Sequence, residues 1–449
     1  MPPYFSVLIL FLLAWGAFAF GAVYDWAYTP LFWSAAAIGA LGWLAPGSAS
    51  KPRTPWAMAL PLAVLAVGVG FQLIPLPLDL LAGISPATDR FLARYDVAYA
   101  AARTLPAFTH PLSIDPAGTR LALCAMVALG LLLVGSARGL GSQGLRTLAG
   151  GLVAIGAALA LAGIVQFGLS FHGNERTSLV YGFWKPIQGT SPFGPFINRN
   201  HFAGWMLLVL PIGCAYFATL VTRGLRHARP SWRERALWFS SAEGSRAILV
   251  GLAVILMGSA LVLTLSRSGI SGFLLAVAVA AVLIARRRGA RARRGAGVFG
   301  LGVLVAVSVV WVGSDAIVAR FSDPNALDLN GRFAIWADAQ EIVCDFPLTG
   351  TGLNTFGTSM VTYQRKDLDT RAFAAHNDYL QLASEGGLLL GIPAVALLVL
   401  LIREIRGRFR DGADDEMEYW IRVGATTGLA AIALQETVEF SLQIPGNAA

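Results

Sequence analysis

Apolar runs long enough to cross a bilayer, at roughly 20 residues per helical crossing, recur along the chain. They begin near Tyr4, Tyr28, Trp56, Thr119, Arg146, His201, Arg246, Ile270, Ala296, Gly386 and Trp420, eleven in all. The pattern predicts an all-α fold, a polytopic transmembrane helical bundle forming one integral-membrane domain over residues 1–449. The first run lacks a basic leader, so it reads as a helix, although Ala17-Phe18-Ala19 mimics a cleavage site. Eleven spans leave the C-terminus on the outer side. The residues Ser441 to Ala449 stop where another apolar run would begin, so a twelfth helix is expected to be missing there.

The polar segments between the runs alternate in kind. Segments 46–55, 138–146, 223–246, 286–294 and 403–410 fall on one side and hold 2, 2, 6, 6 and 4 Lys/Arg. By the positive-inside rule that side is cytoplasmic, and so is the N-terminus. The opposite face carries the long segments 79–118, 171–200 and 315–385.

Composition fits this reading. Of 449 residues, 56% are hydrophobic and only 13% charged, with a mean hydropathy of +0.62; a soluble domain has about a quarter charged. The net charge of +8 comes from basic residues scattered among loops, which points to topology rather than to nucleic acid. Cys124, Cys214 and Cys344 make no disulfide or zinc pattern. Walker, dinucleotide-binding and Gly-x-Ser-x-Gly motifs are absent from the sequence.

Chemistry gathers on the outer side. Arg267 lies between two apolar runs, and a guanidinium beside hydrocarbon faces protein, water or an anion; snorkelling to the interface is the competing reading. In segment 315–385, Asn330 is placed to cap a helix, with Phe333, Trp336, Ile342 and Val343 as its apolar stripe and Pro347 and Gly350 ending it. Arg332 and Trp336, four apart, share a face of that amphipathic helix. Next comes a run in which Asn377, Gln381 and Glu385 repeat every four residues, with His376 at its mouth. Such a stripe is expected to face the bundle interior. Arg199, Asn200 and His201 stand at a third membrane boundary, where anchoring a helix end competes with a binding role. Asp367-Leu368-Asp369 resembles a metal-binding Asp-x-Asp but reads as a solvated pair, so neither a metal site nor a cofactor is expected.

Three stretches together resemble the O-antigen ligase and polymerase family of bacterial inner-membrane proteins. They are Leu265-Ser266-Arg267-Ser268-Gly269, Asn330-Gly331-Arg332-Phe333-Ala334-Ile335-Trp336, and His376-Asn377-Asp378-Tyr379-Leu380 continuing to Glu385-Gly386. Phe196 to Gly204 and His110-Pro111-Leu112-Ser113-Ile114-Asp115-Pro116 also fit, so the resemblance covers about residues 110 to 445.

The resemblance implies a GT-C-like glycosyltransferase with a large periplasmic loop. Residues 1–170 would supply N-terminal spans, and 171–445 a catalytic region that includes loop 315–385. It implies a polyprenyl-diphosphate-linked glycan as donor, with lipid A-core, a second glycan or protein as acceptor. It places the family's important outer-face residues on Arg267, Arg332 and His376. The arginines would hold the diphosphate. His376 would act as base, or position the acceptor. Arg199, Asn200, His201, Trp336 and Asn377 are the candidate substrate contacts. Ligase and polymerase share donor and motifs and stay open at this point. A transporter or flippase of an anionic lipid-linked glycan is the rival class; it predicts mid-span polar residues and often an internal repeat, and no clear repeat is visible.

Overall fold

The structure is a computed structural model. It describes residues 4–44, 56–105, 107–170, 179–186, 191–227, 237–286, 329–365, 371–410 and 415–449. Ten of the eleven apolar runs are helical there, and the run from Ala296 lies outside the described residues. So do Asp367, Asp369 and most of the densest basic segment.

Three N-terminal helices, α1 (Tyr4–Phe18), α2 (Asp25–Leu44) and α3 (Trp56–Gln72), lead into an excursion of short elements. It comprises the short helices α4 (Leu78–Ile84), α5 (Pro86–Tyr95) and α6 (Val97–Ala102), closed by a two-stranded antiparallel ribbon with Leu76 opposite His110. Helices α7 (Pro116–Gly139), α8 (Ser142–Ser170), α9 (Arg199–His227), α10 (Ala242–Leu263) and α11 (Arg267–Arg286) follow. Beyond them stand α12 (Leu329–Asp345), α13 (Phe356–Tyr363), α14 (Asp378–Arg410), α15 (Glu416–Gln435) and a final turn, α16 (Pro445–Ala448).

Six of the described helices, α7 to α11 and α14, are long and apolar enough to cross a membrane; α1 and α3 are shorter apolar helices. Large apolar side chains such as Phe11, Trp33, Val67, Leu249 and Ile392 point outward. A surface of this kind suits hydrocarbon, where the hydrophobic effect no longer separates inside from outside. The chain is a multi-pass membrane protein.

With no hydrophobic drive between helices in lipid, close approach through small residues carries the packing. A Cβ built on Gly135 would lie 2.1 Å from Gly39 O, so α2 and α7 touch backbone to backbone. Gly424 of α15 meets Pro211 O of α9 in the same way, at 2.5 Å. Local caps start the helices. The Asp115 carboxylate accepts from the Ala117 and Gly118 amides, with Pro116 at the first helical position.

Two elements depart from expectation. Helix α12 begins at Leu329, so Asn330 lies within its first turn, and the buried face runs through Ile335, Ala339, Ile342 and Phe346. Phe333, assigned to that stripe from spacing, is exposed. Packing against α13 and α14 turned the helix by about one position. Helix α14 is broken at Gly387 (φ 53°, ψ −152°). The Leu388 and Leu389 amides there donate to Pro347 O and Leu348 O instead of to their own helix. The chain end folds inward: Gly446 abuts Gly16, and Asn447 Nδ2 donates to His201 O (3.0 Å).

Gln72, fully buried at the end of α3, ties these parts together. Its Nε2 donates to Thr349 O (2.7 Å) and Glu385 O (2.9 Å), and its Oε1 accepts from the Leu353 amide (3.1 Å). Gln72→Ala would take these partners from Thr349 O and the Leu353 amide, while Glu385 O would keep the Gly352 amide, and one orphaned buried group costs about 1–3 kcal/mol. We expect a clear drop in the melting temperature of the purified protein in detergent. A drop of less than about 2 °C, the scale of a small fraction of that cost in a chain this size, would show that Gln72 does not hold the 347–353 segment.

Candidate active site

The N-terminal ends of α9, α12 and α14 and the C-terminal end of α15 converge on one buried carboxylate, Glu439, in the turn after α15. Glu439 is 1% exposed. Its Oε1 accepts from Arg332 Nη2 (2.7 Å) and from Asn200 Nδ2 (2.6 Å). Its Oε2 lies 3.6 Å from His376 Nδ1. Burial alone would push this carboxyl up, but the neighbouring His376 ring and Arg332 guanidinium outweigh it and hold it below the usual carboxylate range.

Each partner is fixed by its own element. Asn198 caps α9, its side-chain oxygen accepting from the Asn200 amide (2.8 Å), and thereby orients Asn200. Arg332 and Trp336 share a face of α12 as their spacing predicts: Arg332 reaches Glu439, and Trp336 Nε1 donates to Ala375 O (2.8 Å). The Ala375 amide donates to Gln381 Oε1 (2.9 Å). His376 follows in the left-handed region, φ 49°, a conformation that persists in a non-glycine residue only where its surroundings over-determine it. Phe440 stands between two histidines, with ring centroids 4.8 Å from His376 and 4.7 Å from His201.

The polar stripe at the start of α14 faces inward, and Gln381 and Glu385 are buried. Glu385 accepts from the Asn354 and Phe356 amides (2.8 and 2.9 Å) at the start of α13, a favoured place for a carboxylate. Asn377 caps α14 through the Leu380 amide (3.0 Å). Near Asp378, the Glu436 carboxyl is pushed up to about 9, by burial first and then by the Asp378 carboxylate.

These groups border a cleft of about 1050 Å³. Arg332, Arg371, His376, His201, Asn198 and Gln364 line its polar part together with the carboxyl groups of Asp378 and Glu385; Tyr28 and Phe32 of α2 with Leu121, Ala125 and Leu129 of α7 line its apolar part. Of the residues singled out from sequence, His376, Arg332 and His201 border the cleft. Asn200 lies behind them on Glu439, whereas Trp336 and Asn377 support the backbone around His376. Arg199 and Arg267 are not among the lining residues. Arg267 opens α11 beside the start of α9, where Gly269 abuts Ala203. Sequence reasoning missed Glu439 and Glu436. The signal was present as two acids three apart just past the last apolar run. Among the described residues, no group of three His, Cys, Asp or Glu is arranged to hold a metal ion.

Glu436 gives a pH prediction. The folded protein keeps its proton up to about 9, while the unfolded chain loses it near the ordinary 4.5. Stability from this group is therefore complete below the lower value and is lost as pH rises towards the upper one. Glu436→Gln should flatten the fall in melting temperature between pH 6 and 9. Parallel curves for the two proteins would refute a buried, protonated Glu436.

Residues 252–404 match the family model described as O-antigen ligase, a stretch that contains Arg267, Arg332 and His376 but neither Asn200 nor Glu439. No curated protein matches the chain.

Proposed function

With an O-antigen ligase domain at residues 252–404 as premise, we propose that this membrane protein moves a glycan from a polyprenyl diphosphate carrier to an acceptor hydroxyl. The observation that carries the reading is the two-part cleft. Guanidinium and imidazole groups border one part and α2 and α7 side chains the other, which suits a donor with an anionic head and a hydrocarbon tail. Arg138, Arg146, Arg223, Arg286 and Arg408 lie towards the opposite helix ends. The positive-inside rule then assigns those ends to the cytoplasm and the cleft to the periplasmic face of a bacterial inner membrane.

The chemistry follows from charge. Arg332, which lines the cleft, grips diphosphate oxygens in charge-assisted hydrogen bonds; Arg267, at the start of α11 and outside the lining, is the second candidate for that contact. His376 takes the proton from the acceptor hydroxyl while its oxygen attacks the anomeric carbon. The bond from that carbon to the diphosphate oxygen breaks, its electron pair leaves with the diphosphate, and the proton passes from imidazolium to solvent. Direct attack inverts the anomeric configuration. Negative charge grows on the leaving group, so the arginine contacts strengthen in the transition state. At an effective dielectric of about 20, a close opposite-charge pair contributes roughly 4 kcal/mol before desolvation. His201 borders the same polar part and is a glycan contact, while Asn200, Trp336 and Asn377 act by positioning. Arg199, at the first position of α9, is a weaker contact candidate at the rim.

The test is transfer from a purified polyprenyl-diphosphate glycan in detergent, with lipid A-core, a second carrier-linked unit and protein offered as separate acceptors. His376→Ala should lower kcat by about 10²–10⁴-fold, the usual value of acid–base assistance. Arg332→Ala should lower kcat/KM for donor by at least tenfold. Folded variants as active as wild type would sink this site. The productive acceptor separates ligase from polymerase, and carrier binding without any transfer would favour a flippase.

A further inference from the structure

Glu439 carries more than its ion pair. Its Oε1 holds two donors, whereas Oε2 is shielded from solvent and has none. The nitrogen facing it at 3.6 Å, His376 Nδ1, is also buried and also lacks a hydrogen-bond partner. Two orphaned polar atoms that face each other, one on a carboxylate and one on an imidazole, are complementary. They are half an ångström short of a hydrogen bond, as catalytic pairs often are before substrate binds. The ring is held for that contact by Phe440, the neighbour of Glu439, and by the clamped backbone at Ala375.

We infer that Glu439 is a positioning residue with two tasks: it fixes the proton of His376 on Nδ1, and it holds Arg332 until the donor diphosphate draws that guanidinium away. This rests on the glycosyl-transfer reading above. A carboxylate can only accept, so the ring nitrogen facing it must carry hydrogen, which leaves the Nε2 lone pair free for the acceptor hydroxyl. His376 is 31% exposed while its Nδ1 is buried, so the accessible part of the ring is the side away from Glu439.

The second task follows from sharing. In the structure Glu439 is ion-paired with Arg332. A diphosphate carries more charge than a carboxylate and offers forked acceptors, so it competes for the same guanidinium. As Arg332 turns towards it, the charge of Glu439 is left to His376 and Asn200, and an imidazolium forming there is better stabilised. The other ionisable groups near this cluster are His201 on α9, Asp378 on α14 and Glu436 after α15. Donor binding thereby prepares the base, and the acceptor is activated only when a donor is present.

Glu439→Gln in the full-length protein tests both tasks. The amide oxygen can still accept from Arg332 and Asn200, but its NH₂ then faces His376 Nδ1 and favours the opposite tautomer. With a purified polyprenyl-diphosphate glycan as donor, kcat should fall by about 10²-fold. Donor KM should fall at least about twofold, because a competing ion pair is gone. A merely structural defect would raise KM instead. Independently of whether the variant folds, ¹⁵N NMR of histidine-labelled wild type, assigned with His376→Ala, should show neutral His376 protonated on Nδ1. Protonation on Nε2, a raised donor KM, or a kcat within about threefold of wild type would each overturn the inference. If His376→Ala itself transfers normally, the base reading has failed first; if only Glu439→Gln does, the base reading survives and this inference alone falls.

Discussion

One buried carboxylate sets the terms for the end of the molecule where α9, α12, α14 and α15 meet. Taking an ion out of water costs several kcal/mol, and the cost is recovered only when charge and hydrogen bonds meet it in good geometry. For Glu439 the compensation comes from three separate segments: Arg332 on α12, Asn200 at the start of α9, and His376 before α14. Removing one partner while leaving the others would strand a charge. The positions of these helix ends are therefore coupled through Glu439 more tightly than apolar packing alone would couple them, because apolar contacts tolerate sliding and a short charge-assisted hydrogen bond does not.

The surroundings of that carboxylate are irregular, and the irregularity has its own support. Segment 347–353 lies against the break in α14, and the backbone groups freed there are met across the gap: Thr351 and Gly352 amides donate to Ser384 O and Glu385 O. Gln72 then closes the arrangement from α3. Non-helical backbone near a membrane persists only where protein satisfies it. Glycine is required at two of these points, because both residues have positive φ and a Cβ on Gly350 would lie 2.1 Å from Glu385 O.

Much of this was legible in the sequence, for reasons that differ by element. The apolar runs announce the helices because hydrocarbon permits few alternatives, and ten of them are helical in the structure. The four-residue spacing of Asn377, Gln381 and Glu385 gave the inward face of α14, and that of Arg332 and Trp336 gave a shared face on α12. The apolar stripe of α12 was legible only in part: Ile342 is buried as expected, but Phe333 is exposed and the neighbours of the helix selected Ile335, Ala339 and Phe346 beside Ile342. Glu439 escaped notice because its meaning lies in partners 63, 107 and 239 residues away. Periodicity reports local faces and carries nothing about such distant convergence.

The same distinction explains why counting arginines could not find the site. At the opposite helix ends Arg146 and Arg223 share Asp415, and all three side chains are 30–50% exposed. Ion pairs so well solvated are worth about 0–1 kcal/mol and are screened further by salt. Pairs so dilute do not commit those arginines to a ligand. Arg332 belongs to the same residue type and also pairs with one acid, but it is 20% exposed and its partner 1%. There the surroundings no longer dilute the charge, so exchanging one anion for another at Arg332 changes the electrostatics of every neighbour, His376 included. What separates Arg332 from Arg146 and Arg223 is the water around its partner, which only the folded arrangement reveals.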